Sequence, residues 1–278
     1  MSKIDQVFKK LKIEGRAALI PYIVAGDPDI ETTEALVRKM AECGADMIEI
    51  GVPFSDPLLD GPTIQAASYR ALQKEVGLKE IFNITKKFGE LKTPLVIMTY
   101  FNPVFRYGLK TFAIDCRKCG IDGVIIPDLP PEEAGPWISE AREVNLDTIF
   151  LASPTSPPDR IKKVSQYSRG FIYYVSVTGV TGAREKLPKD LELAVRRIKE
   201  QTLKPVAVGF GISNPEQMRE VSRFADGVII GSAIVKLVEE NLNHSDLTTK
   251  ISDFVLSLYK ALKSPPHPPL SPQGRGIG

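Results

Sequence analysis

The chain has 278 residues, 43% hydrophobic and 25% charged, with a formal net charge of +2. That length supports one large core or two small ones, and that balance is ordinary for a globular protein. Near-neutral charge excludes the strong field that draws nucleic acid or anionic membrane, though not a local phosphate site.

Ile4, Val7, Phe8 and Leu11 follow helical spacing, so an amphipathic helix comes first. Residues 17–24 read as a buried strand, closed by Gly26-Asp27-Pro28-Asp29, where Asp27 or Asp29 can cap the next helix. That helix runs through Thr33, Leu36 and Met40 to Gly44. Residues 47–52 form a second apolar strand with one carboxylate inside it, Glu49, followed by a loop holding Asp56 and Asp60. Helical patterns pass through Ile64, Ala67 and Leu72, then through Leu78, Ile81 and Ile84. Further strands are read at 95–100, 123–127, 148–152, 170–175, 205–208 and 227–230. The third is closed by Asn102-Pro103 and the fourth by Asp128-Leu129-Pro130. Helices fall between them at 109–119, 132–144, 159–167, 190–199 and 214–223. A final helical region is interrupted around residues 243–246.

That makes eight strands, each followed by helix, and continuously apolar rather than alternating, as in a parallel sheet covered on both faces. Eight βα units in this length predict an α/β protein, a (β/α)8 TIM barrel with an extra N-terminal helix and added helices. A doubly wound open sheet is the alternative, but the first strand lacks a G-x-G-x-x-G turn. The barrel is expected to fill residues 1–263 as a single catalytic domain. Residues 264–278, rich in Pro and Gly, are expected to be a disordered tail. No apolar run approaches the ~20 residues of a membrane span. Residues 1–12 have scattered charges and no apolar signal core, so a cytoplasmic location is expected.

Three cysteines, Cys43, Cys116 and Cys119, do not make a disulfide framework. Cys116 and Cys119 have C-x-x-C spacing but no second pair or nearby His, so they read as half-buried helix residues rather than a metal or redox site. With only His244 and His267 available, acid–base chemistry falls to Asp, Glu, Lys or Tyr. A charge inside an apolar strand is costly unless it is paired or used, and burial favours its protonated form. Glu49 and a loop carboxylate are therefore a candidate acid–base pair. The plainer reading is an edge-strand Glu and two turn-forming Asp residues.

Barrels of this class place their sites at the C-terminal ends of the strands. Chain order puts Tyr22, Glu49, Tyr100, Asn102, Asp128, Tyr173 and Phe210 there. Gly209-Phe210-Gly211 and Gly231-Ser232 follow strands seven and eight and lead into helices, where backbone N–H groups suit a phosphate. Two tight turns with no ligand would read the same. The loop at residues 176–186 can close over the site, or lie exposed. Of Tyr173 and Tyr174, Tyr173 is expected to face inward.

The stretch Ile48-Glu49-Ile50-Gly51-Val52-Pro53-Phe54-Ser55-Asp56-Pro57-Leu58-Leu59-Asp60-Gly61 closely resembles the signature of the tryptophan synthase alpha subunit family. The likeness continues through Thr99-Tyr100-Phe101-Asn102-Pro103, Pro127-Asp128-Leu129-Pro130, the 176–182 loop, Gly209-Phe210-Gly211-Ile212-Ser213 and Gly231-Ser232-Ala233-Ile234-Val235. The resemblance implies a carbon–carbon lyase that splits indole-3-glycerol phosphate into indole and glyceraldehyde 3-phosphate. It implies no cofactor or metal in this subunit, and a beta-subunit partner that carries pyridoxal phosphate in an alpha-beta-beta-alpha complex making L-tryptophan. It assigns Glu49 as the general acid–base residue and Asp60 as the carboxylate near the indole nitrogen. Tyr173 matches a lining residue, Thr181 a lid residue meeting Asp60, and Gly182, Phe210, Gly211, Gly231 and Ser232 the phosphate side. A non-catalytic ligand-binding regulatory subunit and a free-standing indole-forming lyase remain open alternatives. Asp56 and Pro57 are expected on the partner face.

Overall fold

The computed structural model describes residues 1–175, 187–188, 190–209, 211–242 and 244–263. The 176–186 loop and the 264–278 tail singled out in the sequence lie outside them, as do Thr181, Gly182 and Phe210. Eight parallel strands close into a barrel in chain order: β1 (Ala18–Val24), β2 (Ile48–Gly51), β3 (Leu95–Met98), β4 (Ile121–Ile125), β5 (Asp147–Ala152), β6 (Ile172–Val175), β7 (Val206–Gly209) and β8 (Gly227–Ile230). Closure is the parallel pairing of β1 with β8, Ala18 opposite Gly227. Every residue of β1, β2, β4 and β8 is buried, as expected for strands with barrel core on one face and helices on the other.

Around the barrel run α1 (Lys3–Glu14), α2 (Ile30–Glu42), α3 (Pro62–Leu72), α4 (Leu78–Thr85), α5 (Phe101–Tyr107), α6 (Leu109–Lys118) and α7 (Gly135–Glu143). They continue with α8 (Pro158–Tyr167), α9 (Leu191–Lys199), α10 (Pro215–Val221), α11 (Ser232–Glu239) and α12 (Leu247–Lys263). The barrel count, the N-terminal helix and the break in the last helical region all match the sequence reading.

Helix α1 is capped by a reciprocal pair, Asp5 N–H to Ser2 Oγ at 3.1 Å and Ser2 N–H to Asp5 Oδ2 at 3.0 Å. It lies under the N-terminal ends of the strands and wedges Ile4 into the barrel floor. A Cβ on Gly123 would sit 2.9 Å from Ile4 Cδ1, and one on Gly170 3.0 Å from Ile4 Cγ2. Those two glycines are therefore room for the plug. This corrects two strand boundaries: β4 starts at Ile121, with Gly123 inside it, and β6 starts at Ile172, after Gly170 at φ +80°. A glycine reads as a strand end in sequence, but here it answers a contact from a distant helix.

The other floor device is a set of carboxylates at strand starts. Asp46 accepts the Leu19 N–H at 2.9 Å and a two-pronged contact from Arg16 at 2.7 and 2.8 Å. Asp226 accepts the Val206 N–H at 2.9 Å and pairs with Lys199 at 2.8 Å. Asp122 accepts the Leu95 N–H at 3.3 Å and meets Arg117 at 3.0 Å and Lys3 at 3.6 Å. Each joins the entry of one strand to the next through a charge that is both hydrogen-bonded and paired, the condition for burying it.

Two helices start where the sequence reading did not put them. Asn102-Pro103, read as a strand terminator, lies in the first turn of α5, where Pro removes an N–H that has no intrahelical partner anyway. Helix α7 starts at Gly135 rather than 132, because Pro130 and Glu133 close a separate turn (Glu133 N–H to Pro130 O, 3.0 Å). Cys116 and Cys119 are free and buried, more deeply than the half-buried positions expected. Ile4→Ala should open a cavity in the floor and lower unfolding free energy by about 2–5 kcal/mol in denaturant titration, with little effect on ligand affinity at the far end.

Candidate active site

Strand β2 sets the geometry. Its register places Glu49 beside Tyr22 of β1 and Val96 of β3. Ile48 and Ile50 alternate with Glu49, so the carboxyl projects to the opposite face from theirs. That face is the barrel interior, because Glu49 acts electrostatically on Tyr173 of β6, the strand diametrically across. Glu49 is 0% exposed, and neither carboxyl oxygen has a hydrogen-bond partner among the described residues. Desolvation first, and the nearby Asp60 charge second, push its pKa up to about 8.

Asp60 ends the loop after β2. That loop is folded by Leu58 N–H to Asp56 O at 2.9 Å and Asp60 N–H to Pro57 O at 3.2 Å. Gln65 Nε2 donates to Asp60 O at 2.8 Å, tying the loop to α3, which begins with Pro62 after Gly61. Burial raises Asp60 to about 6, against the nearby Tyr100 hydroxyl, which lowers it. The two carboxyls thus share a site with no described cation against either, and burial shifts both toward the protonated form.

Tyrosines surround them. Tyr22 crosses from Gly231 to Gly51: a Cβ on Gly51 would sit 2.2 Å from the Tyr22 hydroxyl, and one on Gly231 3.2 Å from its Cδ1. A Cβ on Gly209 would sit 2.4 Å from Tyr173 Cε1 and hydroxyl. The structure therefore gives Gly51 and Gly209 a task the sequence reading missed, room for aromatic rings, and adds one to Gly231, read only as a phosphate position. Burial, and then the carboxylate charges, drive the Tyr22 and Tyr173 hydroxyls well above the usual phenol range. Tyr174, one residue on, is buried on the other face, next to Asp190, so the expected parity holds.

On the β7–β8 side, Gly211 has φ +43°, a left-handed conformation that favours glycine. Gly231 precedes α11 and its first residue, Ser232, with no side-chain cap on the helix N-terminus, leaving N–H groups for a ligand. Across the mouth, a cavity of about 440 Å³ is lined by Phe54, Leu59, Tyr100, Ile126, Asp128 and Phe150. Asp128 does not cap its own helix. Its Oδ1 accepts the Phe101 N–H of α5 at 2.8 Å.

Asp29 caps α2, accepting the Thr32 N–H at 2.6 Å. Asp27 instead takes a two-pronged contact from Arg70 of α3 at 2.8 and 2.9 Å, and Arg70 also meets Glu239 of α11 at 3.0 Å. This clamp, which no local pattern signals, ties the helix behind Asp60 to the helix behind Gly231.

A sequence model of the family described as Tryptophan synthase alpha chain matches residues 8–262. The chain belongs to the tryptophan synthase alpha chain family. It is 47% identical over 264 residues to the tryptophan synthase alpha chain of Thermoanaerobacter sp. (strain X514), covering 94% of this chain and 100% of that one. It is 48% identical over 263 residues to that of Geobacter sulfurreducens, covering 94% and 99%. Among solved structures, the alpha subunit from Legionella pneumophila str. Paris superposes with a TM-score of 0.88 at 37% identity, covering 94% of this chain and 98% of that one. A Mycobacterium tuberculosis tryptophan synthase structure gives 0.88 at 37% identity, covering 95% and 99%. The barrel and both carboxylates fall within the span that matches the tryptophan synthase alpha chain family.

The titration of Glu49 carries a stability consequence. Its folded pKa is raised, so between about 4.5 and about 8 the native state holds a proton that the unfolded chain releases, and stability falls as pH rises through that window. Below it both states are protonated and the effect vanishes. Glu49→Gln removes this penalty. The variant should gain on the parent between pH 5 and pH 8 by a few kcal/mol, with an upper bound of about 5, read from denaturant midpoints against pH.

Proposed function

We propose that Glu49 and Asp60 divide the acid–base work of the reaction. As a tryptophan synthase alpha chain, the protein is a carbon–carbon lyase in tryptophan biosynthesis. It cleaves indole-3-glycerol phosphate into indole and glyceraldehyde 3-phosphate, and the indole goes to the beta subunit. The observation that carries the assignment is the wholly buried Glu49, unpartnered among the described residues and with its pKa near 8, next to an Asp60 near 6. At neutral pH the first holds a proton and the second is largely ionised.

Breaking the bond to indole C3 requires a proton at C3, which turns the ring into an electron sink. Protonated Glu49 supplies it, and positive charge develops near the indole nitrogen, where ionised Asp60 stabilises it. The Glu49 carboxylate then takes the proton of the adjacent side-chain hydroxyl. The C–C bond breaks, its electrons return to the ring, and the aldehyde forms with Glu49 protonated again. Tyr22, Tyr100 and Tyr173 enclose the substrate region. The N-terminus of α11 at Gly231 and Ser232, with Gly211, faces the phosphate; Phe210, Gly182 and Thr181 join this reading through the family resemblance. No cofactor is required of this chain, and pyridoxal phosphate belongs with the partner.

Family membership implies a beta-subunit partner. We place its docking on the rim of the site, where Asp56 and Pro57 neighbour Leu58, 91% exposed, with Phe105, 66% exposed, on α5. An alpha-beta-beta-alpha assembly in the cytoplasm accords with this, and no helix among the described residues is long and apolar enough to cross a membrane. The catalytic unit is residues 1–263, so removing 264–278 should leave melting temperature and indole formation unchanged.

The deciding assay is indole formation from indole-3-glycerol phosphate, with and without a beta subunit. Glu49→Gln should lower indole release by about 100-fold or more while phosphate-ligand binding is retained, since general acid–base groups contribute on that scale. Turnover retained in that variant would remove Glu49 from its role. Equal rates with and without the partner would favour a free-standing lyase, and no turnover under either condition a regulatory subunit.

A further inference from the structure

We propose that Tyr100 is a positioning residue for Asp60, holding the loop after β2 from the end of β3 rather than contacting the reacting atoms. The inference rests on the reading of Asp60 as a catalytic carboxylate. Tyr100 leaves β3 in extended conformation (φ −80°, ψ 158°) as the residue before α5, and its ring is 4% exposed. The ring stacks on Phe54 of the β2 loop, with centroids 5.0 Å apart and planes at 27°. Its hydroxyl oxygen accepts the Leu59 N–H at 3.2 Å. The same hydroxyl acts on the carboxyl of the next residue, Asp60, favouring its ionised form. The backbone just beyond Tyr100 is fixed from the other side, where Asp128 Oδ1 accepts the Phe101 N–H at 2.8 Å. Three successive βα loops are thus linked in series, from Asp128 through the Tyr100–Phe101 turn to Leu59 and Asp60.

The surroundings give that hydroxyl a particular importance. Asp60 is enclosed with Glu49 from β2, Tyr22 from β1 and Tyr173 from β6, all of them acids or neutral phenols. Burial alone favours protonated Asp60, whereas the chemistry needs it ionised beside a developing positive charge. The Tyr100 hydroxyl opposes burial by favouring the ionised form. It also fixes where the carboxylate stands, because the same oxygen grips the preceding backbone N–H.

The test uses the full-length chain with its beta subunit for kinetics, and the chain alone for titration. Tyr100→Phe keeps the ring and its stack on Phe54 and removes only the hydroxyl. The Asp60 carboxyl titration, followed by carbon NMR, should move up by about one pH unit, the scale on which a polar neighbour that favours the ionised form acts. The acidic limb of the kcat profile should move up by the same amount, with KM changed by less than about twofold. Asp128→Ala, which loosens the start of α5 without touching the hydroxyl, should shift both in the same direction by less. An unmoved Asp60 titration in both variants overturns the proposal. A titration that moves while the kcat limb stays removes Asp60 from the chemistry and overturns the positioning role, while the lyase activity itself stands. A parent enzyme that forms no indole would instead overturn the functional reading.

Discussion

A carboxyl group with no hydrogen bond among the described residues, sealed inside a barrel, is the constraint on which the rest of this structure depends. Glu49 is held there by a strand whose neighbouring residues, Ile48 and Ile50, face the opposite way, and a strand admits only two directions. Nothing described solvates it, so it keeps its proton through neutral pH. The group costs stability whenever the medium favours ionisation, and the surrounding apolar strands must carry that cost. Strain of this kind is retained where function needs it.

Three carboxylates at one end of the barrel and two at the other treat charge in opposite ways. At the N-terminal end, Asp46, Asp122 and Asp226 each accept a strand N–H and face a Lys or Arg. Those charges are satisfied, and they pin strand entries. At the C-terminal end, Glu49 and Asp60 face each other and a set of tyrosines, with no described cation to settle them. Asp147, at the start of β5, departs from the pattern of the first three: it is buried, faces Arg169 at 3.4 Å, and neither of its oxygens has a hydrogen bond among the described residues. The clamp of Arg70 on Asp27 and Glu239 lies between these cases: a satisfied ion pair at the functional end, joining the supports of its two halves.

Much of the fold was legible because the period of hydrophobicity is a local property. Continuous apolar runs, each followed by a helical pattern, were enough to count eight βα units, and the count limits closure to very few topologies. The misreadings occurred where a residue serves a distant partner. Gly123 looked like a strand boundary, yet it is mid-strand space for Ile4. Pro103 looked like a terminator, yet the first turn of a helix tolerates it, and α5 is capped by Asp128 from another loop. The cysteines of the C-x-x-C pair looked half-buried from helical spacing alone, but packing against neighbouring helices buries them fully. Asp27 lay equally open to capping a helix, and its actual partner Arg70 is 43 residues away.

The sequence by itself determined which chemistry was available: carboxylates without histidine, glycine turns after the last two strands, and a family signature from Ile48 to Gly61. It also determined that Glu49 sits within an apolar strand, because composition and order suffice for that. Only the tertiary structure decided that both oxygens of Glu49 go unpartnered among the described residues, that Tyr22 and Tyr173 occupy the space left by Gly51 and Gly209, and that the Tyr100 hydroxyl serves the loop of Asp60. Each of these depends on strand register and barrel closure, which bring together residues from β1, β2, β3 and β6. A pKa is a property of that assembled environment, so the different titration of two similar carboxylic acids is a consequence of packing.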